Sequence, residues 1–146
     1  MLLVTAYSHR GELREIDCQI DGMLAKPVSA RQLYAQLARS LGIVSDLSLV
    51  GERRKGNTPQ WSRFRHLDIL LVEDVEVNRE VIGELLVGVG LPPRMASNGA
   101  EALEEVARRT PDVILMDCQM PVMDGFAATR ALRENPVHRH LPIIAL

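Results

Sequence analysis

Three acidic side chains follow the two most apolar segments in the second half of the chain. Glu73 and Asp74 close the run DILLVED (68–74), and Asp117 closes the run PDVILMD (111–117). Continuous apolar runs of this length are typical of strands that are buried on both faces of a parallel sheet. The carboxyl ends of such strands open onto one crevice, so we expect the three carboxylates to meet there.

A cluster of this kind requires a compensating charge. Two carboxylates ~4 Å apart repel each other by about 4 kcal/mol at an effective dielectric near 20, so a cation or protons must accompany them. Hard oxygen ligands in a half-open site suit Mg²⁺, which keeps several waters and takes one or two carboxylates with a phosphate oxygen. A carboxylate can also attack a phosphoryl group and form an aspartyl phosphate. The alternative is a set of acids that are merely solvated at strand ends.

The elements that carry these acids alternate in type. Residues 68–146 show four apolar segments separated by three helical patterns, and the connections are too long for hairpins. This order predicts an α/β fold with a doubly wound parallel sheet, flavodoxin-like, with strand order 2-1-3-4-5. On the first of these helices we expect one buried apolar stripe through Val77, Val81, Ile82, Leu85 and Val89.

The first 42 residues have the same rhythm. A strand, LLVTAY (2–7), precedes a helix (8–20), and a second strand, GMLAKP (22–27), precedes an amphipathic helix (28–42). Residues 43–67 lose the periodicity and gain Gly, Pro, Ser and basic residues, which is typical of a linker.

Composition excludes several classes of protein. The chain has 146 residues, a net charge of −2, 47% apolar and 3% aromatic residues, which indicates an aliphatic globular core without a general attraction to nucleic acid. No apolar run approaches the roughly 20 residues of a membrane span, so we do not expect this segment to lie in a membrane. Cys18 and Cys118 lack metal-ligand spacing and indicate reduced thiols in a cytoplasmic protein.

Two segments together resemble a known family. ILLVEDVEVNRE (69–80) followed by DVILMDCQMPVMDGFAATR (112–130) resembles the receiver domains of two-component response regulators, especially those fused to hybrid sensor histidine kinases. The spacing D-x-x-M-P-x-M-D-G is highly specific for that family. The resemblance implies that Pro121 and Gly125 shape the loop behind the phosphoacceptor.

The same resemblance assigns roles to the acids. Asp117 corresponds to the phosphoacceptor, and Glu73 and Asp74 correspond to the acidic pair that binds Mg²⁺. Asp74 is then the more direct of the two metal ligands, and the backbone carbonyl of Gln119 is a further protein contact.

Receivers also use a Thr or Ser hydroxyl after the fourth strand and a Lys before Pro after the fifth. Residues 68–146 contain neither at the matching place, whereas Thr5 in LLVTAY and Lys26 in GMLAKP match both. The resemblance thus implies that residues 1–42 are the end of one receiver, 43–67 a linker, and 68–146 the first two-thirds of a second receiver.

The two receiver-like segments contain every element of one receiver. We therefore hypothesise that residues 1–42 complete the sheet of residues 68–146 as a circularly permuted receiver, within one chain or swapped between two copies in a homodimer. LLVTAY and LPIIAL (141–146) both resemble the fourth strand, and only one can fill that place. Asp117 gains Thr5 and Lys26 only if the first segment docks.

We therefore hypothesise that the chain functions as a phosphorelay receiver. Asp117 would accept a phosphoryl group from the phosphohistidine of a histidine kinase or a histidine phosphotransfer domain, and the parent protein would be a hybrid histidine kinase, anchored in a membrane or not. The alternative is a phosphorylation-incompetent receiver remnant that acts as a protein–protein interaction module. A haloacid-dehalogenase-like phosphatase is disfavoured because Gln119 stands where its general acid should be, and no G-x-G-x-x-G motif indicates dinucleotide binding.

Overall fold

The apolar segments of the sequence form the strands of one sheet. The computed structural model describes residues 20–43 and 60–146. Within these residues five parallel strands pair in the order β1-β5-β4-β2-β3. The strands are β1 (Gly22–Met23), β2 (Ile69–Val72), β3 (Arg94–Ala96), β4 (Val113–Met116) and β5 (Ile143–Ala145).

Helices connect the strands and cover both faces of the sheet. The described residues contain a 3₁₀ helix (Trp61–Phe64) and the α-helices α1 (Ala30–Ser40), α2 (Glu76–Gly88), α3 (Gly99–Arg108) and α4 (Gly125–Glu134). The predicted α/β fold with a doubly wound parallel sheet is therefore confirmed. Not one helix in residues 20–43 and 60–146 has the length and apolar character to cross a bilayer.

The two central strands are buried at every position. Side chains of β2 and β4 alternate between two apolar cores, one on each face of the sheet. Leu71 and Leu115 pack on the face covered by α1 and α2, whereas Leu70 and Ile114 pack on the face covered by α3 and α4. Burial on both faces explains why these segments are apolar throughout instead of alternating.

The first part of the described chain completes the sheet. β1 pairs with β5 in parallel, with Gly22 opposite Ile144, and the Leu24 N–H donates to the Ala145 carbonyl at 2.8 Å. α1 then packs Leu33 and Leu37, both fully buried, against the core beneath it. Residues 20–43 thus dock on the sheet of the same chain.

The strand between β4 and β1 is Ile143–Ala145, which is part of LPIIAL. The competing segment, residues 2–7 with Thr5, lies outside the described residues. The division of the chain into parts of two receivers stays a prediction, because the packing of a segment does not show which domain it came from.

The buried stripe of α2 differs from the one expected. Ile82, Leu85 and Val89 pack against the core as expected, whereas Val77 and Val81 are 66% and 60% exposed. The helix also buries Leu86, which the expected stripe did not include. At 3.6 residues per turn Val77 lies about 180° around the helix from Leu86, so the two cannot share a face. The apolar residues from Val77 to Leu86 form one arc about 180° wide on α2, and the sheet covers the side that includes Ile82 and Leu86.

The end of the predicted linker is part of the fold. Phe64 is fully buried, and the rings of Trp61 and Phe64 each lie 5.2 Å from that of Tyr34 on α1, in edge-to-face arrangements. Such pairs contribute about 0.5–1.5 kcal/mol beyond their buried area. Three of the five aromatic residues of the chain therefore join α1 to the segment that enters β2.

Replacing Leu37 by Ala tests whether α1 is an integral part of this core. We expect a loss of about 2–5 kcal/mol in the free energy of unfolding, because the fully buried side chain leaves a cavity. Val81→Ala is the control, and its effect is expected within about 0.5 kcal/mol because the side chain is exposed. Urea denaturation followed by circular dichroism measures both. Equal effects would contradict the packing of α1 and the stripe of α2.

Candidate functional site

The acids named by the sequence meet at the carboxyl edge of the sheet. β2 and β4 are neighbours with Val72 opposite Met116, so Glu73 and Asp117 leave the sheet side by side. Carboxylate oxygens of Glu73, Asp74 and Asp117 lie within 4.8 Å of one another. The structure thus brings together the three acids from two strands that are separated by 40 residues of sequence.

Glu73 is completely buried, and its two carboxylate oxygens have different surroundings. Oε1 accepts hydrogen bonds from the Asn78 side chain at 3.2 Å and from the Val75 N–H at 3.4 Å. Oε2 accepts no hydrogen bond within the described residues, although it lies 2.7 Å from Lys26 Nζ. Hydrogen bonds therefore hold Oε1, whereas in the part of the chain that the structure describes Oε2 is held only by its ion pair with the Lys26 ammonium.

Lys26 enters the acid cluster from the first part of the chain. It follows β1, and its Nζ donates a hydrogen bond to Asp117 Oδ2 at 2.8 Å while making the ion pair with Glu73. Burial by itself lowers the pKa of this ammonium. Its contacts with Asp117 and Glu73 outweigh the burial and raise the pKa above its ordinary value of 10.5. Lys26 is therefore charged at neutral pH.

The remaining acids differ in exposure. Asp117 is only 8% exposed, and its Oδ1 accepts a hydrogen bond from the Gln119 N–H at 3.2 Å. Asp74 is half-buried at the rim, and in residues 20–43 and 60–146 its carboxylate has neither a hydrogen bond nor an ion pair. A cation or phosphoryl donor approaching from solvent would therefore meet Asp74 and the open side of Asp117.

The loop after Asp117 is shaped by the residues that the motif predicts. A Cβ on Gly125 would overlap the Asp117 carbonyl, and the Gly125 N–H donates to the Cys118 carbonyl at 3.2 Å. The Met123 N–H donates to the Pro121 carbonyl at 2.8 Å. This bond closes a γ-turn centred on Val122, whose φ is +68°. The chain thus folds back tightly behind Asp117, and only glycine fits at position 125.

Sequence reasoning missed two polar side chains of α2 that hold the site together. Asn78 Nδ2 fixes the Glu73 carboxylate, and an Arg79 guanidinium N–H donates to the Glu73 carbonyl at 2.7 Å. Both residues lie in the first two turns of the helix that follows the acidic pair. That proximity to Glu73 is the signal that could have identified them.

The donor set fits a divalent cation. Three carboxylates and one ammonium give the cluster a formal charge of −2, and two of the carboxylates are buried. Oxygen ligands of mixed exposure are what Mg²⁺ prefers, because it keeps part of its water shell. Two observations favour such an ion: Glu73 Oε2 is buried without a hydrogen bond within the described residues, and a net negative charge remains after the Lys26 ammonium is counted.

Not every predicted site residue can be placed. Thr5 lies outside the described residues. The Gln119 backbone is fixed beside Asp117 through its N–H, and the predicted metal contact of its carbonyl stays a prediction.

The raised pKa of Lys26 predicts the pH range in which this residue stabilises the fold. A pKa that is higher in the folded state than in the unfolded state gives stability that is fully present below pH 10.5 and is lost as the pH rises through the folded value. We expect the difference in unfolding free energy between wild type and Lys26→Met to be constant from pH 7 to 9 and to shrink above pH 10.5. Urea denaturation across this range measures it, with Lys55→Met as the control. A difference that grows with pH would contradict the contacts of Lys26.

Comparison with known proteins agrees with this geometry. The chain is 42% identical over 95 residues to hybrid signal transduction histidine kinase E of Dictyostelium discoideum. The aligned region covers 62% of this chain and 6% of that protein. The chain is also 38% identical over 78 residues to the response regulator PleD of Caulobacter vibrioides, and that aligned region covers 53% of this chain and 17% of PleD. The chain therefore spans less than a fifth of the length of either relative.

A solved structure with the same fold carries a metal. The receiver domain of the sensor histidine kinase PA1611 from Pseudomonas aeruginosa PAO1, which has a magnesium ion coordinated in its active-site cleft, is 43% identical. The similarity has a TM-score of 0.52 and covers 54% of this chain and 65% of that chain. The family model of the response regulator receiver domain matches residues 69–146, which is more than half of the sequence. The chain therefore belongs to the response regulator receiver domain family.

Proposed function

We propose that this chain accepts a phosphoryl group on Asp117 as the receiver of a phosphorelay. The observation that supports the proposal most directly is the position of Lys26 Nζ, 2.8 Å from Asp117 Oδ2 and 2.7 Å from Glu73 Oε2. A cation held in a cluster of acids at the carboxyl edge of a sheet is suited to binding the oxygens of a transferred phosphoryl group.

The transfer would proceed by attack of an Asp117 carboxylate oxygen on the phosphorus of a phosphohistidine. The new O–P bond forms as the P–N bond breaks, and the imidazole leaves with the electron pair. Lys26 would then donate to a phosphoryl oxygen, since its Nζ already lies within hydrogen-bond distance of the attacked carboxylate. Thr5 is proposed as a second donor, on the family resemblance alone.

Glu73, Asp74, Asp117 and the Gln119 carbonyl are the proposed ligands of Mg²⁺. When bound there, the ion would offset the charge of the phosphoryl oxygens and of the acids. Asn78 and the Val75 N–H hold Glu73 in place, so this chain orients the ligand before any ion arrives.

The proposed partners are a histidine kinase or a histidine phosphotransfer domain. The names of the relatives, which include hybrid histidine kinases and a response regulator, support this proposal. We propose a cytoplasmic location, because the kinase that supplies the phosphoryl group would use cytoplasmic ATP. We also propose that residues 20–43 dock within their own chain in solution, with a strand-swapped homodimer as the alternative.

Incubation with acetyl phosphate and Mg²⁺ tests the proposed acceptor. We expect a mass gain of one phosphoryl group, and we expect Asp117→Asn to show none because the nucleophile is removed. Asp112→Asn is the matched control, since this exposed acid lies at the opposite end of β4 and should leave the gain intact. Intact-protein mass spectrometry measures all three. A wild-type chain that gains no mass would favour the phosphorylation-incompetent interaction module.

The proposed metal ligands predict how the reaction depends on magnesium. We expect EDTA to abolish phosphorylation and Asp74→Asn to raise the Mg²⁺ concentration for half-maximal rate at least about tenfold. Glu76→Gln removes the same charge from an exposed side chain two residues further on, and its Mg²⁺ dependence should match that of the wild type. Rates are measured at a fixed acetyl phosphate concentration. An equal shift in both variants would indicate a general charge effect rather than a ligand.

A further inference from the structure

The strand that brings Lys26 to the site, β1, is only two residues long. Its residues pair with β5, Gly22 with Ile144 and Met23 with Ala145. A slip of one residue would move Lys26 by about 3.3 Å along the strand and turn it toward the other face. Two backbone pairs specify a register weakly, so the accurate position of Lys26 needs a further cause.

Asp21, the residue before β1, supplies specific contacts to a single partner on β5. Its N–H donates to the Ile143 carbonyl at 2.9 Å, and its Oδ2 accepts from the Ile143 N–H at 2.8 Å. Both backbone groups of Ile143 are therefore bound by the main chain and side chain of one residue. A shifted strand would place Gly22 or Ile20 here, and neither has a side chain that can accept this bond.

Arg133 on α4 fixes the Asp21 carboxylate from the other side. A guanidinium N–H of Arg133 donates to Asp21 Oδ2 at 3.0 Å, and the side chain is only 12% exposed. The same guanidinium donates to the Leu141 carbonyl at 2.8 Å, just before β5. Arg133 thus ties α4, the entry to β5 and the start of β1 together.

The opposite face of β1 allows only one register as well. A Cβ on Gly22 would overlap the side-chain amide of Gln36, which is 8% exposed on α1. A slip in either direction would put the larger side chain of Asp21 or Met23 at this position. Steric exclusion on this face and hydrogen bonding on the other therefore favour the same alignment.

We propose that Asp21 and Arg133 are positioning residues that hold β1 in the register in which Lys26 reaches Asp117. The role of Lys26 in phosphoryl transfer rests on the function proposed above, whereas the register lock is a property of the docked strand. Asp21 and Arg133 act through Lys26 and do not touch the acid cluster.

Zero-length cross-linking measures the proposed effect directly. A carbodiimide activates the carboxylate of Asp117 or Glu73, and Lys26 Nζ then displaces the urea and forms an amide, with net loss of one water. The chain has only two lysines, Lys26 and Lys55, so the product is identified by peptide mass spectrometry. We expect a Lys26–Asp117 or Lys26–Glu73 cross-link in the wild type.

Asp21→Ala and Arg133→Ala should each lower this cross-link yield and the phosphorylation rate about tenfold, because a charge-assisted contact that fixes the register is lost. Asp21→Asn keeps an acceptor for the Ile143 N–H and should recover part of the yield, and it also serves if Asp21→Ala does not fold. The two alanine changes combined should lower the yield no further than the stronger single change.

Asp68→Ala is the control for the loss of a partly buried ion pair at a distance from Lys26, and it is compared with Asp21→Ala at the same fraction folded. It removes ion pairs with Arg94 at 3.0 Å and Arg109 at 2.9 Å at the amino end of the sheet, away from Lys26. If Asp21→Ala and Asp68→Ala cross-link equally at the same fraction folded, Asp21 only stabilises the fold and the proposal is wrong. A wild type that cross-links but accepts no phosphoryl group would refute the proposed function and leave the register lock standing.

Discussion

The structure depends on one electrostatic constraint, which is the repulsion among three carboxylates at the carboxyl edge of the sheet. Glu73 is fully buried and Asp117 nearly so, and a buried carboxylate destabilises the fold unless an opposite charge or hydrogen bonds compensate it. The ammonium that meets both of them belongs to Lys26, which enters with the strand formed by the first part of the chain. The acid cluster and the docking of that strand therefore stabilise each other.

This mutual dependence has a consequence for ligand binding. Any ion or phosphoryl group that binds the acids changes the environment of Lys26. By linkage, the bound group changes the stability of the docked segment by the same free energy by which docking changes the binding of that group. We expect ligand binding to affect most strongly the ion pair of Lys26 with Glu73 Oε2, because that oxygen has no hydrogen bond within the described residues. The hydrogen bond to Asp117 Oδ2 is the other half of the coupling.

The sequence predicted the sheet because its signal is strong and local. Runs such as Ile69–Val72 and Val113–Met116 are apolar at every position, and only a strand buried on both faces requires that. The convergence of Glu73, Asp74 and Asp117 followed from strand order alone. The docking of Lys26 could be proposed but not decided, since it depends on contacts such as Asp21 with Ile143 that join residues 122 apart.

Several features that the sequence did not reveal depend on contacts between elements that are distant in the chain. On α2 the apolar residues from Val77 to Leu86 span about half of the helix circumference, and only the position of the sheet decides that Leu86 is buried while Val77 is exposed. Trp61 and Phe64 lie in a polar, aperiodic stretch, and both contact Tyr34, which precedes them by 27 and 30 residues.

Strand pairing also accounts for the place of β1, which comes first among the described strands and lies beside β5, the last of them. The place of Lys26 relative to Asp117 is set by strand register rather than by chain order. The register of β1 and the position of α1 are specified by contacts that do not depend on the connection before β1. These are the contacts of Gly22 with Gln36, of Asp21 with Ile143, and of Tyr34 with the neighbouring aromatic rings. A strand from the first part of the chain can therefore lie beside the last strand and bring Lys26 to Asp117.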